Sequence, residues 1–181
     1  MTTALILIDI QNDYFPNGNM ELSQPEQAAA KAAQVLESFR QDRQDLIFHV
    51  QHIAADPAMG FFLPDTNGVE IHAAVKPEGD ESVTTKHFPN SFLQTDLESK
   101  LKAKDVTDLV IVGMMTHMCI DATVRAAVDM GYKVTLIEDA CATRELAYGG
   151  KTVTAEQVHY SFIGALDGMY ARVTSAEQFL G

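Results

Sequence analysis

Leu109-Val110-Ile111-Val112-Gly113-Met114-Met115-Thr116-His117-Met118-Cys119 is the stretch that sets the fold class of this chain. Leu109–Val112 is apolar at every position, so both faces of the strand it predicts must be buried, as in a parallel sheet covered on both sides. A glycine and a short polar step follow. Ile120–Met130 then reads as a helix stopped by Gly131, a residue suited to the left-handed turn after a helix.

The same strand-to-helix unit recurs along the chain. Ala4–Ile10, Leu46–Val50 and Val134–Ile137 are apolar on both faces, and shorter strands are expected at Ser82–Thr85 and Ala171–Thr174. Pro25–Arg43 carries Ala29, Ala32, Ala33, Leu36 and Phe39 at helical spacing. Ser23 with Glu26, Thr95 with Glu98, and Thr154 with Gln157 have the spacing of reciprocal helix-capping pairs. Strands alternating with helices imply right-handed crossovers and a mainly parallel sheet between helical layers. Ala54–Asp80, with Gly60, Pro64, Gly68, Pro77 and Gly79, departs from this rhythm. It reads as a long loop with a short helical turn, either a lid, a subunit contact or a passive surface excursion.

At 181 residues and 46% hydrophobic composition, with no repeat or linker, the chain is expected to form one domain over 1–181. Its 13 Lys plus Arg against 25 Asp plus Glu give a formal charge of −12. Such a surface repels phosphate backbones and anionic lipid, which argues against nucleic acid and membrane as partners. Two cysteines, Cys119 and Cys141, are too few for a secreted disulfide framework. Met1-Thr2-Thr3 offers no basic lead-in, and Asp9 interrupts the apolar run that follows. A cytoplasmic location with both thiols reduced is expected.

In a parallel α/β sheet, ligands sit beyond the carboxyl ends of the strands. Three strand ends there carry reactive groups. Asp9 closes the first apolar strand, where it either caps the next turn or is buried with a partner. Cys119 falls in the first turn of a helix, whose free N–H groups favour a thiolate; alone it would read as an inert buried thiol. Cys141, among small residues just past a strand, fits the inert reading better. Lys86 follows Ser82–Thr85 and alone would read as a solvated charge. Together, a proton acceptor, a cation and a thiol are what an activated nucleophile needs.

Leu7-Ile8-Asp9-Ile10-Gln11-Asn12-Asp13, then Lys86 through Asn90-Ser91-Phe92, then Gly113 to Cys119 continued by Asp121-Ala122-Thr123, Ala126, Gly131-Tyr132 and Asp139-Ala140, resemble, in order, the three blocks of the isochorismatase-like superfamily of cysteine hydrolases. The resemblance implies a three-layer α/β/α, Rossmann-like fold with a six-stranded sheet of order 3-2-1-4-5-6. It also implies a catalytic Asp9, Lys86 and Cys119, and a cis Met114–Met115 peptide that turns the Met115 N–H toward the site. Met115 and Cys119 N–H would then form an oxyanion hole. Gln11, Tyr14, Phe15, Phe92 and Thr116 flank these blocks and are candidates for substrate contact. The expected activity is hydrolysis of a small-molecule amide without a cofactor, by a chain that forms a homo-oligomer, dimer or tetramer.

Two alternatives stand beside that reading: an isochorismatase-type vinyl-ether hydrolase, and a non-catalytic small-molecule binding protein on the same fold. Isochorismatases of siderophore pathways commonly lack the cysteine retained here. Nicotinamidases carry an Asp-x-His metal segment after the second strand, where this chain has Phe48-His49-Val50-Gln51-His52-Ile53. No catalytic metal is therefore expected, and His49, His52, His72 and His87 read as structural. Gly150-Lys151-Thr152 lacks the earlier glycine of a phosphate-binding loop, that position being Glu145.

Overall fold

The computed structural model describes residues 1–42 and 44–181. Arg43, the expected end of the first helix, lies outside the described residues. Six strands form the main sheet: β1 Thr3–Ile8, β2 Ile47–His52, β3 Ser82–Lys86, β4 Asp108–Met114, β5 Lys133–Ala142 and, after a small hairpin of β6 Leu146–Tyr148 with β7 Lys151–Val153, β8 Arg172–Thr174. The order is β3-β2-β1-β4-β5-β8, with every pairing in this sheet parallel. It is the expected 3-2-1-4-5-6 order, with the hairpin inserted before the sixth sheet strand.

Alternation along β1 shows why its sequence is apolar throughout. Leu5 and Leu7 face a core shared with helix α1 (Pro25–Asp42), which contributes Ala28, Ala29, Ala32, Val35, Leu36 and Phe39. Ala4, Ile6 and Ile8 face the opposite core, built with α2 (Leu97–Lys102), α3 (Asp121–Asp129) and α4 (Ala155–Leu166). A short α5 (Ala176–Leu180) returns to the α1 side through Ala176. Among the described residues, no helix is long and apolar enough to cross a membrane.

Of the three expected capping pairs only Thr154–Gln157 is realised, with both reciprocal hydrogen bonds present. Ser23 instead gives its N–H to Thr143 O, bridging α1's entry to the end of β5. Thr95 turns its hydroxyl back to Ser91 O, and α2 begins after Asp96. Tertiary partners for the two side-chain or backbone groups outweighed the local alternative.

Strands β1 and β4 diverge into the site at Gly113, whose register partner is Ile8. Its φ is +134°, and an added Cβ would lie 2.0 Å from Ile8 O. No side chain fits there. Gly113→Ala is expected to destabilise the protein by more than about 3 kcal/mol in chemical denaturation, since clash and backbone strain combine. A cost below about 1 kcal/mol would show that the two strands can separate without loss.

Candidate functional site

Asp9 marks the point where β1 stops, the strand ending two residues before the apolar run Ala4–Ile10 does. Its φ of +52° turns the chain out of the strand and drives the carboxylate inward, fully buried. Lys86, the last residue of β3 and equally buried, reaches under β2 to place Nζ 2.7 Å from Asp9 Oδ2. The carboxylate forms an ion pair rather than a turn cap. Cys119 stands in a π-helical turn, Thr116–Ile120, that links β4 to α3, with Sγ 3.2 Å from the same Nζ. The structure thus brings together the three residues singled out in the sequence.

Two further acceptors complete the ammonium's surroundings, Phe88 O and His52 Nδ1, each at 3.0 Å. His52 had read as structural; the signal that places it at the site is the β2–β3 register, in which His52 is the partner of Lys86. An ammonium can only donate, so His52 Nδ1 accepts and the ring proton sits on Nε2. That Nε2 is buried without a hydrogen-bond partner among the described residues.

Electrostatics follow from burial around one cation. Desolvation raises the Asp9 carboxyl above its ordinary value, although Lys86 opposes it. Lys86 also moves up, because the Asp9 carboxylate and Cys119 together outweigh its desolvation. His52 is lowered to about 3 by burial and the Lys86 charge. The Cys119 thiol is raised by burial and then by Asp9, with Lys86 opposing. Burial and the Asp9 charge thus favour the protonated thiol, against the Lys86 cation. Cys141, also free and buried, is pushed up to about 12 by burial and gives its S–H to Ile137 O.

The expected substrate-contact residues separate into different environments. Gln11 donates from Nε2 to His52 O (2.9 Å) and Val69 O (2.7 Å), while its Oε1 accepts from the His52 N–H (2.8 Å). Both side-chain donors are spent on backbone, so Gln11 fixes His52 and the 54–80 segment. Tyr14 is buried against Phe62, with ring centroids 4.6 Å apart, and its hydroxyl is raised by burial and by Cys119 and Asp9. Phe15 stacks on His72 at 3.7 Å. Thr116 donates to Ala142 O and lies 3.0 Å from His159 Nδ1, buttressing the π turn from behind. Phe92 stacks on Tyr132 and is directed toward the opposite end of the sheet, where β5 begins.

Residues 54–80 hold short 3₁₀ turns at Pro57–Met59, Asn67–Val69 and Ala73–Val75 and are tied down over the ends of β1 and β2. Asp13 accepts from the Phe62 N–H (2.6 Å) and the Asn19 N–H (3.0 Å), and the fully buried Phe62 ring lies 5.8 Å from that of His52. Gly68 is required beneath them, since a Cβ would meet the Asp13 carboxylate at 2.2 Å. Arg144 donates from Nη1 to Glu145 O and has no partner for its buried Nε among the described residues, while its charge lowers the Tyr14 hydroxyl's value against the larger effects that raise it. The Met114–Met115 peptide is cis, as the resemblance implied, and Met115 O accepts from the Met118 and Ile120 N–H groups.

A family model described as the isochorismatase domain matches residues 3–178. The chain belongs to the isochorismatase family. Its sequence is 56% identical to the uncharacterized isochorismatase family protein YddQ of Bacillus subtilis, over 99% of both chains. A crystal structure described as an isochorismatase hydrolase from Oleispira antarctica superposes with a TM-score of 0.93 at 48% identity, covering 99% of this chain and 96% of that one. Streptothricin hydrolase of Streptomyces noursei is 32% identical over 79% of this chain, which spans half of that relative's length. This isochorismatase-family chain is accordingly a hydrolase.

The His52 assignment has a pH signature. Because its folded-state value is depressed from 6.5 to about 3, its contribution to stability is complete above 6.5 and is lost as pH falls toward the folded value. Ring ¹⁵N NMR is expected to show a neutral Nε2–H imidazole down to about pH 5. Thermal stability should decline on acidification below about pH 6.5, less steeply in His52→Gln. Protonation of His52 near its ordinary value would contradict the hydrogen bond from Lys86.

Proposed function

We propose that the chain hydrolyses a compact carbon–nitrogen bond, a small-molecule carboxamide or ureido acid, through a Cys119 thioester. The observation that carries this reading is the position of one buried ammonium, 2.7 Å from the Asp9 carboxylate and 3.2 Å from the Cys119 sulfur. A proton passing from Sγ to Asp9 changes which partner is negative but leaves the Lys86 cation paired. The raised Asp9 carboxyl is a stronger base than an exposed one, although burial and the Asp9 charge raise the thiol as well.

The thiolate attacks the acyl carbon, and the carbonyl oxygen takes the negative charge. The N–H groups of Met115 and Cys119 are assigned to it, each such donor being worth about 3 kcal/mol. Asp9 then gives its proton to the departing nitrogen as the C–N bond breaks. Asp9, again ionised, takes a proton from water as the oxygen attacks the thioester; the C–S bond breaks, the carboxylic acid product leaves, and Asp9 returns the proton to the departing sulfur. The cover formed by Tyr14 and Phe62 keeps bulk water from the ion pair, and the Arg144 guanidinium, whose buried Nε has no partner among the described residues, favours substrates with an acidic group. Streptothricin hydrolase supports a hydrolytic role for such a chain. The two free thiols and the acidic surface fit a cytoplasmic enzyme, and a homo-oligomer is proposed with it.

A panel of small amides, ureido acids and vinyl ethers tests the reading. Cys119→Ala is expected to stay folded and to lose at least about 1000-fold in kcat on the hydrolysed member, with a covalent acyl-enzyme trapped by mass spectrometry in the native protein alone. Unchanged turnover by Cys119→Ala would remove the nucleophile assignment. Turnover confined to vinyl ethers would favour the isochorismatase reaction instead. Iodoacetamide should label Cys119 before Cys141, and Lys86→Met should slow only the former.

A further inference from the structure

Four acceptors converge on Lys86 Nζ: Asp9 Oδ2 at 2.7 Å, His52 Nδ1 and Phe88 O at 3.0 Å, and Cys119 Sγ at 3.2 Å. An ammonium has three protons, so four acceptors exceed what it can satisfy with linear bonds. Carboxylate, imidazole, carbonyl and sulfur at the corners of a small polyhedron make a donor set suited to a metal as much as to a lysine. The ligating atoms of Asp9, His52 and Cys119 all lie within 4.8 Å of one another. All three side chains are buried, and His52 already presents its unprotonated nitrogen inward.

We propose that Asp9, His52 and Cys119 form a seat for a thiophilic divalent metal, zinc above all, which the Lys86 ammonium fills in the native protein and which opens when that ammonium is removed. Zinc bonds to oxygen, nitrogen and sulfur of about 2.0–2.3 Å require ligand separations near about 3.5 Å. The cluster therefore has to contract by about 1 Å, within the reach of side-chain rotation at Asp9 and Cys119. A divalent ion and the ammonium do not share this pocket, because three positive charges would face only the Asp9 carboxylate and the Cys119 thiolate in a buried environment. Lys86 is fully buried, and its ammonium is held among all four acceptors at once. The lysine thus supplies, from within the chain, the positive charge that a metal would otherwise bring beside the nucleophile. Zinc binding joins the metal to the Cys119 sulfur with release of the thiol proton to solvent, and involves no redox change.

This proposal uses the pocket of the proposed reaction but not its chemistry, so either can fail without the other. The test is equilibrium binding of Zn²⁺ and Co²⁺ to wild type and to Lys86→Met, a side chain one atom shorter that vacates the Nζ position. The variant is expected to bind one equivalent at least about 100-fold more tightly than wild type, with a near-ultraviolet sulfur-to-cobalt charge-transfer band. Adding Cys119→Ser should abolish the band, and adding His52→Ala should weaken binding by about 10-fold or more. Where Lys86→Met is unfolded without metal, refolding on zinc addition is the expected result, and Lys86→Ala provides a second vacated seat. Equal zinc affinity in wild type and both variants overturns the proposal. So does a charge-transfer band that survives Cys119→Ser, which would place the metal elsewhere, or tight binding indifferent to His52.

Discussion

A lysine ammonium with no access to solvent is the constraint around which the rest of this structure is arranged. Removing such a charge from water costs several kcal/mol, and the cost is offset only if a counter-charge and further acceptors are held in place. Asp9 supplies the charge, and His52, Phe88 and Cys119 supply the remaining acceptors. Removing Asp9 leaves a buried cation unbalanced and removing Lys86 a buried anion, so the site and the stability of the sheet's carboxyl end are one problem. The same burial that makes the pocket expensive also makes it reactive, because it raises the Asp9 carboxyl and holds the thiol protonated until a substrate arrives.

The sheet meets this constraint through its order and register. Placing β1 between β2 and β4 sets Asp9 next to the turn that carries Cys119, while β3 lies one strand beyond β2. Lys86, the longest of the three side chains, spans that extra strand, and the residue it passes is His52, its register partner. At the β1–β4 junction the absence of a side chain at Gly113 lets the strands approach before they part. A shorter cation on β3 would not reach the thiol.

The cover over the site depends on side chains that do no chemistry. Asp13 and Gln11 give their polar atoms to the backbone of residues 54–80 and of β2, which turns an irregular stretch into a fixed wall. Phe62 and Tyr14 exclude water where the ion pair stands. In the sequence, Gln11 and Tyr14 had the same standing as substrate contacts. Only the hydrogen bonds distinguish a residue that shapes the pocket from one that faces into it.

What the sequence determined by itself is what depends on short range and on composition. Strands apolar on both faces imply a covered parallel sheet, and the alternation with helices implies its crossovers. The three blocks around Asp9, Lys86 and Cys119 stood out through their order and their resemblance to one family, since each residue taken singly also admitted an inert reading. The cap at Thr154 was legible too, since both of its partners lie within one turn. What only the tertiary structure decided depends on groups far apart in sequence. Ser23 left its local cap for Thr143, His52 became part of the site through Lys86, and Phe92 turned to Tyr132. The sign of the thiol's shift belongs here as well. A helix start favours the anion by a local dipole, but the desolvation of Cys119 and its distance from Asp9 are set by the packing of four strands, and burial with the Asp9 charge raises the thiol.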